Sequence, residues 1–372
     1  MVLSLEARLA QRQGTKTRIS VTLHLGTAPE QLPVEDAMTQ HDAAPETTTS
    51  APEGGPAPQD SAPQASAGNK CAAIIINPAK PAEIDVRGLM AKHCANNGWG
   101  EPIWIETSKE DPGVGQAKEA LRRGADVVIA AGGDGTVRCV AEVLACTSTP
   151  MGLLPLGTGN LLARNLGMDV TDVEGAMAGA LTGEDRKIDV VRAVRSDPDK
   201  EQLFLVMAGM GYDATIMADT NEDLKDKVGW LAYVDAGIRN LPGKPVKASV
   251  VIDGKSVVHR RVRSVMVGNC GKVQGGLEIF PDAKVDDGLL DVVVLAPRGR
   301  LGWLSVVAGM IGKGRGKDTS VEYFQGKTVE ITFEHPDDYQ LDGDHEGDSK
   351  QVRMTMLPGA LTVRMNAPSN TH

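Results

Sequence analysis

The residues best suited to chemistry in this chain are two glycine-rich stretches, and the chemistry they suit is phosphate binding. The first is Gly132-Gly133-Asp134-Gly135-Thr136. Glycines reach backbone angles closed to other residues and let peptide N–H groups approach phosphate oxygens. The apolar run Val127 to Ala131 precedes this loop, and Val137, Val140, Ala141 and Leu144 follow it at helical spacing. The pattern predicts strand, loop and helix, with an anion at the helix N-terminus where the dipole and free N–H groups favour it. Asp134 does not fit a pure anion cradle; a carboxylate beside phosphates makes sense with a divalent cation between them. The second stretch, Pro155-Leu156-Gly157-Thr158-Gly159-Asn160, again leads from an apolar run into a helical one, Leu161 to Leu166. Asn160 also stands where a helix cap would be. Neither stretch has the spacing of a P-loop or of the dinucleotide fingerprint.

Elements must bring these loops together. Cys71 to Ile76 reads as a buried strand stopped at Asn77-Pro78. A helix is expected near Ala82 to Asn96, a strand at Ile103 to Thr107, a helix at Gly113 to Arg123 and a buried strand at Val127 to Ala131. Alternating strands and helices imply a parallel sheet covered on both faces. Asn77 then lies at the carboxyl edge of that sheet, where open α/β folds bind ligands. Past Asp189 the pattern changes. Strand-like runs at Val190 to Val194, Leu203 to Met207, Val246 to Ile252, Ser256 to Val267, Leu289 to Leu295, Thr328 to Phe333 and Val352 to Leu357 suggest an antiparallel sandwich or related sheet. Helical interruptions are expected at Lys227 to Leu241, where Val228, Leu231, Val234, Ile238 and Leu241 read as a core face, and at Leu301 to Lys313.

Two acidic features stand in the second half. Asp342-Gly343, followed by Asp344, is by itself a common hairpin signal. Asp282, Asp286, Asp287 and Asp291 surround Gly288; such oxygens suit a hard cation, or a solvated turn.

The two glycine loops resemble the catalytic domain of the diacylglycerol kinase and sphingosine kinase family, the soluble bacterial lipid kinases above all. The likeness continues through Ala208 to Ala214, Val267 to Asn269, Pro281 to Asp291, Gln340 to Asp344 and Leu357 to Leu361, so it spans about residues 70 to 365. It implies a fold of α/β + β class: an N-terminal three-layer α/β nucleotide-binding domain and a larger C-terminal β-sandwich domain, with a cleft between them. The expected division is 1–69 as a low-complexity extension, 70–190 as the ATP-binding domain with a return at about 356–366, and 191–355 as the lipid-substrate domain. By the same likeness Asn77, Lys80, Gly132, Gly133, Gly135, Thr136, Gly157, Thr158 and Asn160 surround the phosphates of ATP, and Asp134 lies near Mg²⁺. Asp342 and Asp344 take catalytic duty, with Asp344 as general base or metal partner. Asp286 and Asp287 become ligands of a structural Mg²⁺. The chain departs from the family pattern where Ala79-Lys80-Pro81 follows Asn77-Pro78, where Arg138 and Cys139 replace the usual Asn-Glu pair, and where Asp344 replaces a Glu.

The implied reaction is ATP-dependent phosphorylation of a lipid hydroxyl, with diacylglycerol leading and sphingoid bases, ceramide-like lipids and phosphatidylglycerol as alternatives. A non-catalytic regulator and an NAD kinase, which shares the first loop, are the other readings. Composition fits an enzyme meeting a membrane peripherally. The net charge of −10 argues against general nucleic-acid binding. Five scattered cysteines suit reduced thiols in the cytoplasm. Residues 27–69, rich in Ala, Pro, Thr and Ser, bury too little to fold. The start lacks a secretory apolar core, and no run is long enough to span a bilayer. The segment 301–317 joins an apolar stretch carrying Trp303 to Lys313, Arg315 and Lys317, a pattern that suits the inner face of an anionic membrane. A homodimer is left open.

Overall fold

Strand β1 (Ala72–Ile76) is followed by helix α1 (Val86–Asn96), β2 (Ile103–Glu106), α2 (Val114–Arg122), β3 (Val127–Gly132), α3 (Asp134–Leu144), β4 (Met151–Pro155), α4 (Leu161–Asn165) and α5 (Val173–Thr182). This computed structural model describes residues 70–78, 84–196, 200–211, 245–273, 278–297, 302 and 320–366. The four strands are parallel in the order β4-β3-β1-β2. Every residue of β3 and β4 is buried, as expected of strands covered on both sides. Ile74, Ile129 and Leu154 pack with Met90 and Met177 of α1 and α5. Ile75, Ala130 and Leu153 share the opposite core with Ala117 of α2 and Val140 and Leu144 of α3. Asp85 and Asp172 start their helices by accepting from Gly88 N and Gly175 N. Because β2 and β3 flank β1 on opposite sides, the chain reverses direction across the sheet between β1 and β3, where such folds open a crevice.

The second half is β-rich: β5 (Glu184–Arg195), β6 (Glu201–Phe204), β7 (Met207–Gly211), β8 (Val246–Ile252), β9 (Lys255–Val262), β10 (Ser264–Gly268), β11 (Leu290–Leu295), β12 (Val321–Gly326), β13 (Thr328–Leu341) and β14 (Asp344–Met365). The run expected as one strand from Ser256 to Val267 is two. It breaks at Arg263, because β9 pairs with β8 whereas β10 pairs with β7 and β11. Strand β13 also changes neighbours: Val329 to Phe333 lie against β8, and Tyr339 to Leu341 against β7, with a register shift between. These crossings make a sandwich whose two sheets enclose Val250, Phe333, Val292, Tyr339 and Met354.

Strand β14 joins the two halves. It runs antiparallel to β13 and to β5, and near its end Val363 pairs in parallel with Met151 of β4. The boundary expected near residue 190 falls inside β5, which pairs with β14 on both sides of that point. The readings of residues 1–69, of Lys80 and of the 227–241 helix lie outside the described residues, as does the 301–317 segment apart from Gly302. Among the described residues no helix is long and apolar enough to cross a membrane.

One buried carboxylate fixes the β5–β14 junction. Asp189 is 2% exposed, and its two oxygens accept from Gly288 N and Gly359 N, each at 2.7 Å. It ties the turn before β11 to a turn within β14. Asp189→Ala leaves both N–H groups without their acceptor and should lower stability by about 2 kcal/mol. In thermal unfolding this is a fall of roughly 5 °C; an unchanged midpoint would remove the tie from the account.

Candidate active site

Glycine packing holds the two loops against each other. A Cβ on Gly157 would stand 2.5 Å from Gly133 Cα, so the backbones touch where only glycine fits. Gly132 has the side chain of Thr136 folded over it, with Thr136 Oγ1 2.9 Å from where a Cβ would be. Thr136 is therefore nearly buried, whereas Thr158 is exposed at the tip of the second loop. Gly133 is the N-cap residue of α3, so this loop feeds directly into an eleven-residue helix. Asn77 N donates to Ala131 O at 3.1 Å, placing Asn77 beside the loop at the β1/β3 crevice.

Asn160 holds the second loop in shape. It adopts a left-handed conformation (φ 48°), with Oδ1 accepting from Gly157 N at 3.0 Å and Nδ2 donating to Gly157 O at 2.8 Å. The helix cap expected of it is absent: it occupies the N-cap position of α4 but makes no side-chain cap bond. Asp134 contacts that helix instead, with Oδ1 accepting from Leu161 N at 2.6 Å. Its other oxygen, Oδ2, lies against Gly159, where a Cβ would come within 2.6 Å. Burial pushes the Asp134 carboxyl above its ordinary value against the pull of its backbone donors, and the nearby Asp344 charge adds to the rise.

The two carboxylates of the β13–β14 turn differ sharply. Asp342 (φ 48°) and Gly343 (φ 91°) form the two-residue loop between the paired residues Leu341 and Asp344, so the hairpin signal is real. Asp342 points inward and is 5% exposed. Its carboxylate accepts from three consecutive peptides: Leu205 N at 3.0 Å, Val206 N at 2.8 Å and Met207 N at 3.0 Å. Burial raises its pKa to about 6, opposed by those donors and by Arg138. Asp344 points the other way. Its side chain is half exposed, and Oδ2 stands 3.2 Å from where a Cβ on Gly135 would be, at the first turn of α3. A side chain at position 135 would therefore crowd this carboxylate. Of the pair, Asp344 is the one free to meet a ligand.

Three participants, Arg138, its partner Glu346 and Asp189, were given no role by sequence reasoning. Arg138, on α3, donates to Asp344 at 3.1 Å and lies 2.7 Å from Glu346 Oε1. Asp189 was legible only as a lone carboxylate inside the apolar run Ile188 to Val191. Asp286 and Asp287, the expected cation ligands, both have partners within the protein. Asp286 pairs with Arg186 at 2.6 Å, and Asp287 accepts from Leu289 N at 3.0 Å. Among the described residues no group of three or more His, Cys, Asp or Glu is placed to hold a metal. Asp291 nearby accepts from Gln325 with Oδ1, while its buried Oδ2 has no partner, and burial raises its pKa to about 6.

With this geometry in place, the likeness to known proteins is specific. Residues 72–193 match the diacylglycerol kinase catalytic domain, and residues 206–365 match the YegS C-terminal NAD kinase beta sandwich-like domain. A Pseudomonas fluorescens protein named "Probable lipid kinase YegS-like" is 35% identical over 253 residues, covering 67% of this chain and 80% of its own. A diacylglycerol kinase of Bacillus subtilis is 28% identical over 295 residues, covering 78% and 92%. The crystal structure of a diacylglycerol kinase from Bacillus anthracis superposes with a TM-score of 0.60 at 24% identity, covering 82% of this chain and 99% of that one; it shares the fold.

Gly157→Ala should force the loops apart and weaken ATP binding by about tenfold or more while the fold survives; calorimetric titration with ATP reads this, and unchanged affinity would count against the two-loop cradle. Asp291 gives a pH test. Its folded pKa lies above the unfolded carboxyl value, so the stability it contributes is present below about pH 4 and is lost as pH rises through about 6. Asp291→Asn should accordingly unfold ~2–4 °C higher than wild type at pH 8 in EDTA, a gain of about 1 kcal/mol after solvent screening. The two midpoints should converge below about pH 4; a constant offset across pH would rule out the buried charge as its cause.

Proposed function

This chain belongs to the YegS-like lipid kinase family, and from that premise we propose that it transfers the γ-phosphoryl group of ATP to the free hydroxyl of diacylglycerol, forming phosphatidic acid. The observation that carries the reading is the approach of Asp344 to the first turn of α3, beside the loops suited to phosphate. Gly132, Gly133, Gly135 and the α3 N-terminus take the polyphosphate through peptide N–H groups, while Gly157, whose own N–H is held by Asn160, lets the second loop close against Gly133. Asn77, Thr136 and Asn160 hold the backbone of that cradle, and Thr158 borders its open side. The lipid hydroxyl enters from the side of Asp344. Its oxygen bonds to the γ-phosphorus as the bond from that phosphorus to the β–γ bridging oxygen breaks; its proton passes to Asp344, and ADP leaves.

Asp134 fits a Mg²⁺ partner, because its Oδ2 is turned toward the second loop while Oδ1 serves Leu161. A bound Mg²⁺ would supply charge neutralisation on the phosphates. Asp342 acts through the backbone: it fixes the turn from which Asp344 projects. No cation role is assigned to Asp286 or Asp287, whose oxygens serve Arg186 and Leu289. Diacylglycerol is favoured by the relative that carries its name. A lipid substrate and ATP together put the enzyme at the cytoplasmic face of a membrane.

The test is transfer of label from ATP with Mg²⁺ to mixed micelles carrying diacylglycerol, a sphingoid base, a ceramide and phosphatidylglycerol, with NAD⁺ alongside. Labelled phosphatidic acid is expected. Asp344→Asn should lower kcat by about 100-fold or more, since a proton acceptor contributes on that scale, with the unfolding midpoint within ~2 °C of wild type. Label on another lipid would change the substrate and keep the chemistry; label on NAD⁺ alone would overturn the proposal.

A further inference from the structure

Arg138 lies one turn after Asp134 on α3, at the i, i+4 spacing that puts both on one helix face. Its side chain is only 13% exposed, and its Nη2 bridges two carboxylates, Asp344 at 3.1 Å and Glu346 at 2.7 Å. Asp344 and Glu346 are two residues apart on β14, so they project from the same side of the strand. Glu346 is itself anchored. Its Oε2 accepts from Gln202 Nε2 at 2.7 Å, and its backbone O accepts from Arg195 Nη1 at 2.7 Å. The Arg195 guanidinium in turn lies over the Tyr339 ring at 5.8 Å. The guanidinium of Arg138 therefore rests on a fixed partner and holds a second, more exposed one. Electrostatics gives that arrangement a purpose. Asp134 and Asp344 approach the same helix terminus, and like charges there repel; a cation one turn down offsets the repulsion.

We infer that Arg138 positions Asp344 for proton transfer, so that the helix holding the phosphates also sets the place of the base. This rests on the role given to Asp344 above. Arg138 is a positioning residue: it acts through the carboxylate. Because the phosphate cradle is built from peptide N–H groups of the glycine loops, its loss leaves ATP affinity in place. Both contacts come from one nitrogen, Nη2, so an ammonium can supply the charge and the donors, but the shorter reach of a lysine gives up part of the geometry. A lysine at this position restores part of the effect.

The test uses the full chain and the lipid that wild type phosphorylates. Arg138→Met should lower kcat by about 30-fold with KM for ATP changed less than about threefold. Arg138→Lys should recover about a third or more of the lost rate on a logarithmic scale. Adding Arg138→Met to Asp344→Asn should cost less than about threefold more, because the clamp has lost its object. A structural role would instead lower the unfolding midpoint and multiply with Asp344→Asn; that result, a kcat within threefold of wild type, or a loss confined to KM, would overturn the inference. Should Arg138→Met not fold, Glu346→Gln takes its place, with kcat expected to fall about fivefold at unchanged KM. A wild type that labels no lipid overturns both this inference and the kinase reading of Asp344; an active wild type with an indifferent Arg138→Met overturns this one alone.

Discussion

The active-site side of the molecule depends on one buried carboxylate meeting three peptide groups. Asp342 accepts from Leu205 N, Val206 N and Met207 N, and its own N–H donates to Met207 O at 2.8 Å. Leu205 and Val206 lie in the bend between β6 and β7, where the chain leaves one sheet of the sandwich and enters the other. A bend of this kind frees N–H groups that no ladder can use, and buried N–H groups need acceptors. The carboxylate supplies them, and in doing so pins the β13–β14 hairpin to the corner of the sandwich. Asp344 stands two residues beyond the pin, so the place of its backbone follows from this interaction, and the contact with Arg138 then holds its carboxylate.

The pin has an electrostatic cost. Burial raises the pKa of Asp342, which means that the ionised form is opposed by the interior even with its donors in place. Asp134, Asp342 and Asp344 bring three carboxylates to the neighbourhood of one helix terminus. Two features offset their repulsion on this chain: the N-terminus of α3, which favours negative charge, and Arg138, which pairs with Asp344 and Glu346. The layer behind them is polar as well. Arg138 Nε, Arg195 Nε, Gln202 Oε1 and the Tyr339 hydroxyl are buried without protein partners.

What could be read from the sequence divides along the range of each interaction. The glycine loops were legible because a backbone that must pass close to another backbone requires glycine at that position, and the strands on either side are local apolar runs. The α/β alternation and the change to a β-rich half were legible for the same reason. The break at Arg263 was not, because Ser256 to Val267 is uniformly strand-like and only its partners, β8 on one side and β7 and β11 on the other, force it into two. Asp342 and Asp344 were read as a catalytic pair, but nothing local distinguishes the carboxylate that turns inward from the one that turns out. The three donors to Asp342 are more than 130 residues away, and Arg138 is 206 residues from Asp344. The alternative of Asn160 as a helix cap was equally out of local reach, since its side chain turns back to Gly157 while Asp134 from the other loop takes the N–H of Leu161.

A chain with net charge −10 is not an obvious holder of a polyphosphate, and among the described residues the arginines near the two loops are engaged by the protein itself. Arg138 is engaged by two carboxylates, and Arg164 Nε donates to Gly159 O at 2.8 Å, which supports the loop rather than a ligand. On the proposed reading the attraction comes from peptide N–H groups and the helix dipole, which act over a few ångströms and are indifferent to net charge. Such a cradle tolerates carboxylates at its rim, provided each has another partner. Asp134 has Leu161 N, and Asp344 has Arg138. In the proposed division of labour the positive charge of Arg138 orients carboxylates and the backbone does the binding. An enzyme so arranged can change its rate through the β14 carboxylates while leaving its grip on the nucleotide to the glycines.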